Sequence, residues 1–437
     1  MHESLLSPFF AAVNATATLR WHGRVTQVVG NVIESEGPLS SLGDSCEVIS
    51  SRGDVYPGEI VGFRGNTVLS MTLQRPKGVR FGDSVVGLAQ PPSIPVGDEI
   101  LGRVLDATGA PIDGMMPSRP QASRLVDGSA PLPFARTPVR EVMPCGIRAI
   151  DGFITCGRGQ RIGIFGGSGV GKSTLIGMLT RGAAADVTVL ALIGERGREV
   201  REFVEESIGL EGMQRAVVVV STSDQSPLLR LRAAMAATAI AEHFCEQGKH
   251  VLLVLDSLTR FGMAQREIGL AAGEPPTAKG YTPSVFTLLA RLVERAGNFE
   301  RGSITGFYTV LMEGDDQQDP LVDAVRSLLD GHIVLDRKLA AEGHYPPIHI
   351  LDSLSRLTGS VCTQEHLAAA RKLRAWLASY ARSEDLIRIG AYQKGGDPVL
   401  DQAVSAMPDI RKLLIQSAAE RTTLDDTVAA ISQIAKR

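Results

Sequence analysis

From Gly23 to about Leu88 the apolar residues come in short β-branched runs set apart by glycines. Runs at 24–29, 31–34, 46–49, 58–61 and 67–71 have strand composition, because branched side chains fit a pleated surface. Several short strands at this spacing predict a small β-barrel over 23–90. The run Pro91-Pro92-Ser93-Ile94-Pro95 reads as a linker. A glycine- and proline-rich approach follows to about Pro144. From Arg161 the texture changes. Continuous apolar runs at 187–193, 216–220 and 251–255 have the pattern of parallel strands buried on both faces. They alternate with helical stretches such as 227–246, which predicts a βαβ succession within 91–359. After about Gly359 strand-like runs cease, and helical spacing at 367–380 and 403–416 predicts an α-helical domain over 360–437. At the other end Leu5, Leu6, Phe9, Phe10 and Val13 fall at helical spacing. That predicts an amphipathic segment within 1–22, placed to dock a partner or to pack on its own domain.

Composition changes this picture little. At 437 residues, 44% hydrophobic and 21% charged, the chain has room for several globular domains. A net charge of -3 gives no electrostatic footprint for nucleic acid. The 5 cysteines are scattered, without a C-x-x-C pair, so neither a zinc site nor a disulfide framework is indicated. Buried thiols in a reducing cytosol are the simplest reading. No apolar run has membrane-spanning length. No basic n-region precedes Phe9-Phe10-Ala11-Ala12-Val13, so the start does not read as a signal peptide.

The chemistry is concentrated in Gly166-Gly167-Ser168-Gly169-Val170-Gly171-Lys172-Ser173, which fits the phosphate-loop pattern G-x-x-x-x-G-K-[ST]. A short apolar run at 161–165 enters it, and a helical run beginning Ser173-Thr174 leaves it. Glycines let backbone N–H groups turn inward onto phosphate oxygens, and the helix start adds its positive dipole end. In this pattern Lys172 reaches the β- and γ-phosphates and the Ser173 hydroxyl binds Mg²⁺. Asp256 ends the apolar run Leu253-Val254-Leu255, where a carboxylate can hold a water on the same Mg²⁺. Any buried strand can end in Asp; the phosphate loop upstream is what gives this one meaning.

Glu195, in Gly194-Glu195-Arg196-Gly197-Arg198-Glu199, directly follows a central strand. There a carboxylate can polarise the water that attacks the γ-phosphorus, or merely charge the first turn of a helix. Arg196 can touch the γ-phosphate or pair with a carboxylate. Arg356 can be an arginine finger or a surface ion-pair partner. Tyr345, in His344-Tyr345-Pro346-Pro347, can stack on an adenine or simply pack.

Together these residues resemble the catalytic subunits of rotary-type ATPases, and in particular the flagellum-specific ATPases of type III protein export. The resemblance rests on 166–173, 194–199 and Leu-Asp-Ser-Leu-Thr-Arg at 255–260. It continues through Gly-Glu-Pro-Pro-Thr-Ala-Lys-Gly-Tyr at 273–281, Glu-Gly-Asp-Asp-Gln-Gln-Asp-Pro at 313–320, Asp-Gly-His-Ile-Val-Leu at 330–335 and His-Tyr-Pro at 344–346. It implies a small N-terminal β-barrel, a RecA-like P-loop ATPase domain and a C-terminal helical domain. It also implies ATP and Mg²⁺ as ligands and a homohexamer with sites at subunit interfaces. Lys172 would be the phosphate lysine, Glu195 the water-activating glutamate, Asp256 the Mg²⁺-side carboxylate, Arg356 the finger reaching a neighbour's nucleotide, and Tyr345 the adenine-stacking aromatic. The implied partners are an export-apparatus stator or regulator at the N-terminal segment, export substrates and their chaperones. The implied location is cytoplasmic, peripheral at the membrane export gate.

The tail at 383–390 lacks the dense acidic lever of ATP-synthase β subunits, which weighs against a proton-driven synthase. Non-catalytic ring subunits lack the glutamate that Glu195 matches. Gln317-Gln318 and Gly390-Ala391-Tyr392-Gln393 resemble flagellar rather than virulence-type members. The alternatives are the ATPase of a non-flagellar type III secretion system and a Rho-like nucleic-acid translocase. The latter needs base-stacking aromatics on the barrel, which offers only Trp21, Tyr56, Phe63 and Phe81 with no basic run around them.

Overall fold

The computed structural model describes residues 20–116, 122–312 and 319–436. The amphipathic segment expected in 1–22 thus lies almost wholly outside the described residues, as do Gln317 and Gln318. Strands β1 (Trp21–Val29), β2 (Val32–Glu36), β3 (Ser45–Ile49), β4 (Val55–Arg64), β5 (Thr67–Thr72) and β6 (Ser84–Gly87) close into an antiparallel barrel, in the order β1-β2-β5-β4-β3-β6. Alternate residues fill its interior: Val25, Ile33, Cys46, Val48, Ile60, Val68 and Val85 form one apolar cluster. The closing strand β6 is only 4 residues long, too short for its alternation to stand out in the sequence.

The barrel is tied to the next unit by two polar contacts. Arg232, on the helix Pro227–Glu246, pairs with Glu59 of β4, and both side chains are largely buried. Ser226 Oγ donates to the Leu73 carbonyl at 2.7 Å. Removing one partner of a buried pair strands the other charge. Glu59→Ala is therefore expected to lose about 3–5 kcal/mol of stability, read as a lower midpoint in denaturant. An unchanged midpoint would mean that Arg232 reaches water.

The expected linker is instead partly strand. β7 (Ser93–Val96) pairs antiparallel with β9 (Ala122–Leu125), burying Ile94 and Val96. Prolines are tolerated there because the ribbon has only two strands, each with a free edge.

The central sheet runs β17-β16-β10-β15-β13-β11-β12-β8. Its members are β8 (Val104–Asp106), β10 (Arg161–Gly166), β11 (Val187–Glu195), β12 (Ala216–Thr222), β13 (His250–Asp256), β15 (Ser303–Leu311), β16 (Gly331–Val334) and β17 (Leu354–Ser355). All neighbours are parallel except β17, which returns antiparallel on β16, and the short β14 (Gly297–Asn298) on β15. The long apolar runs are explained by burial on both faces. In β11, Val189, Ala191 and Ile193 join a core with the helices Pro227–Glu246 and Leu258–Ala272. Leu190 and Leu192 join another with the helix Lys172–Gly182 and the C-terminal helices.

The C-terminal region consists of the helices Gln364–Arg388, Pro398–Leu414 and Leu424–Ala435. Gln416 locks it down. Its side chain accepts from Arg148 N and donates to the Gly146 and Glu420 carbonyls, while its own N–H donates to the Tyr345 carbonyl at 2.8 Å. All 5 cysteines are free thiols, four buried and Cys362 half-buried. No helix among the described residues is long and apolar enough to cross a membrane.

Candidate active site: a loop and two carboxylates at the carboxyl edge of the sheet

β10 ends at Gly166, and the chain curls through Gly167–Gly171 into the helix Lys172–Gly182. Gly171 caps that helix with φ +96°, a left-handed conformation that favours glycine. No side chain caps the first turn, so its N–H groups are available to an anion. Ser168, Gly169, Ser173 and Thr174 stay open to solvent, whereas Gly166, Gly167 and Val170 are buried and anchor the loop. The Tyr345 ring stands at the same place: a Cβ on Gly171 would lie 3.6 Å from its Cε1. Tyr345 is 46% exposed, which leaves its ring a face for a planar ligand.

Two carboxylates converge on Lys172. Its Nζ lies 2.5 Å from Asp256 Oδ1 and 3.9 Å from Glu195 Oε1. They come from the carboxyl ends of β13 and β11, which pair in register with Leu192 opposite Asp256. Glu195 thus ends its strand rather than following it. Burial first, and then the Asp256 carboxylate, hold Glu195 above the ordinary glutamate range, while Lys172 and Arg260 pull it back. A carboxylate of raised pKa beside a phosphate site is better matched to accepting a proton near neutrality than an ordinary one.

The Ser173 hydroxyl and the Asp256 carboxylate are hard oxygen donors that suit Mg²⁺. Among the described residues no group of three or more His, Cys, Asp or Glu could hold a metal by itself. A Mg²⁺ here fits as the companion of nucleotide phosphates, held by few protein ligands.

Two expected residues lie elsewhere. The Arg196 guanidinium is 70% exposed and pairs with Glu199 at 3.3 Å, the alternative to a phosphate contact that the sequence left open. Arg356 directly follows β17, and its N–H donates to the Asp330 carbonyl. Asp330 in turn holds Arg161, the first residue of β10. Arg356 therefore sits at the amino edge of the sheet. Its own phosphate loop lies at the far end of β10, about 16 Å away along the strand. The Arg356 side chain is exposed and makes no hydrogen bond or ion pair among the described residues.

Three contributors had no role assigned from the sequence. Arg260 packs over Gly194, where φ is +67° and a Cβ would meet its Cγ at 3.2 Å, and so brings a cation beside Glu195. It belongs to the motif at 255–260, whose sequence gives Arg260 no evident role. Thr309 Oγ1 donates to Asp256 Oδ1 at 2.6 Å, and Gln416 holds the Tyr345 backbone. Neither has a local signal, since buried threonines in strands are common and Gln416 acts from 71 positions away (416 − 345).

Residues 146–355 match the ATP synthase alpha/beta family, nucleotide-binding domain, and residues 362–433 match the T3SS EscN ATPase C-terminal domain. The chain is 48% identical over 424 residues to the flagellum-specific ATP synthase of Bacillus subtilis (strain 168), covering 97% of each. It is 47% identical over 433 residues to the type 3 secretion system ATPase of Sinorhizobium fredii, covering 99% of this chain and 96% of the relative. The assembled ATPase EscN of the enteropathogenic E. coli type III secretion system superposes with a TM-score of 0.90 at 42% identity, covering 94% of this chain and all of that one. On sequence, barrel, nucleotide-binding sheet and helical C-terminus alike, the chain belongs to the family of flagellum-specific ATP synthases and type 3 secretion system ATPases.

Proposed function

We propose that this chain hydrolyses ATP with Mg²⁺ in a homohexameric ring that energises type III export of flagellar proteins. The observation that carries the reading is Lys172 held between Asp256 and Glu195 at the mouth of an uncapped helix. A bound triphosphate draws Lys172 onto its β- and γ-oxygens, which releases Glu195 to orient a water and accept its proton. Ser173 and Asp256 would hold Mg²⁺ beside the phosphates, where its charge would offset that of the phosphate oxygens. Tyr345 takes the adenine face. Arg356, on the amino edge of its own sheet, serves the site of a neighbouring copy. Residues 1–22 would dock a stator or regulator protein. Export substrates and their chaperones are the other partners, at the cytoplasmic face of the membrane export gate.

The two kinds of relative match at 48% and 47%, so overall identity does not favour the flagellar reading over the non-flagellar one. It rests on Gly390-Ala391-Tyr392-Gln393 and Gln317-Gln318, the latter outside the described residues. Restoration of motility in a strain lacking its own flagellar export ATPase tests it.

The biochemical test is ATP turnover by the purified chain. It should require Mg²⁺, and specific activity should rise with protein concentration as rings assemble. Constant specific activity over the whole range would count against shared sites. Lys172→Ala should bind ATP roughly ten- to a hundredfold more weakly, the worth of charge-assisted hydrogen bonds to phosphate. Equilibrium titration with a fluorescent nucleotide reads this, and wild-type affinity would remove Lys172 from the site.

A further inference from the structure

Asp256 faces a problem whenever the site fills. It is 3% exposed, and among the described residues Lys172 is its only ion-pair partner within 3 Å. On the reading above, Lys172 leaves it for the phosphates. A buried carboxylate stripped of its partners is costly. Among the described residues one other donor reaches this side chain. Thr309, fully buried on β15 between β10 and β13, places Oγ1 2.6 Å from the same Oδ1 that receives Lys172 Nζ. The Leu255 carbonyl is the other acceptor within reach of that hydroxyl, at 3.4 Å. A hydroxyl has one proton, and the shorter bond to a charged oxygen takes it.

We infer that Thr309 is a positioning residue that retains Asp256 when Lys172 transfers to the nucleotide. With Oδ1 fixed by Thr309, the carboxylate keeps one orientation in the empty and the filled site, and Oδ2 stays directed away from the anchor. The lysine then moves without leaving a bare buried charge. This inference rests on the assignment of Lys172 as the phosphate lysine.

The test is a double-mutant cycle on nucleotide affinity, measured with a fluorescent ADP analogue in excess EDTA so that neither turnover nor metal enters. Thr309→Val keeps the shape and removes the hydroxyl. In the wild-type background it should weaken binding roughly tenfold or more, because the metal-free filled site then has no donor to Asp256 among the described residues. In a Lys172→Ala background Asp256 has the same partners before and after binding. There the same substitution should change affinity less than about twofold. Thr309→Ser should restore the wild-type value. Equal losses in both backgrounds, no loss in either, or failure of serine to rescue would overturn the role of Thr309. If Thr309→Val does not melt cooperatively, Thr309→Ala goes through the same cycle and is read the same way. If Lys172→Ala alone leaves affinity unchanged, the phosphate-lysine assignment fails instead, which separates the two failures.

Discussion

Arg356→Ala is expected to fold and bind ATP as the wild type does, while its rings lose about 10³–10⁵-fold in turnover, the worth of an arginine supplied to a phosphoryl-transfer site. The expectation comes from register. β17 pairs with β16 so that Arg356 lies level with the start of β10, whereas the phosphate loop leaves its end. An exposed guanidinium there makes no hydrogen bond or ion pair among the described residues, so its removal strands no partner and leaves no cavity. A change in melting temperature equal to that of a core variant would show instead that Arg356 is structural.

Glu195→Gln is expected to keep ATP affinity and lose about 10²–10⁴-fold in kcat, because the amide copies the shape of the carboxylate but accepts no proton. Its pH behaviour is the sharper signature. A base works only when ionised, so the rate falls as pH drops through the pKa of Glu195. Burial and Asp256 raise that pKa. The acid limb of kcat/KM should therefore lie above the ordinary glutamate range, and Glu195→Gln should lack it. Survival of the same limb in the variant would assign it to another group.

The phosphate loop was legible because its chemistry is local: every required glycine, the lysine and the hydroxyl lie within eight consecutive positions, 166–173. The buried strands were legible because burial on both faces leaves unbroken apolar runs such as 216–220. Elements whose evidence is short or interrupted were not. β6 has 4 residues, and prolines mask the strand at Ser93–Val96. Contacts made by strand neighbours were also invisible. The Thr309 hydroxyl meets Asp256 only because β15 lies beside β13, and Arg196 turns to Glu199 because helix spacing brings them together. Arg356 could be matched to a family role from its motif, but its place at the opposite edge of the sheet depends on an antiparallel pairing of two residues.

On the proposed function each site is completed by two copies of the chain. Mixing Lys172→Ala with Arg356→Ala, each expected to lose turnover alone, and measuring ATP hydrolysis while crosslinking reports mixed rings tests this sharing. Where an intact phosphate loop faces an intact Arg356 across an interface, activity should return, up to a fraction of wild type set by the mixing ratio. Mixed rings that crosslink yet remain inactive at every ratio would contradict it.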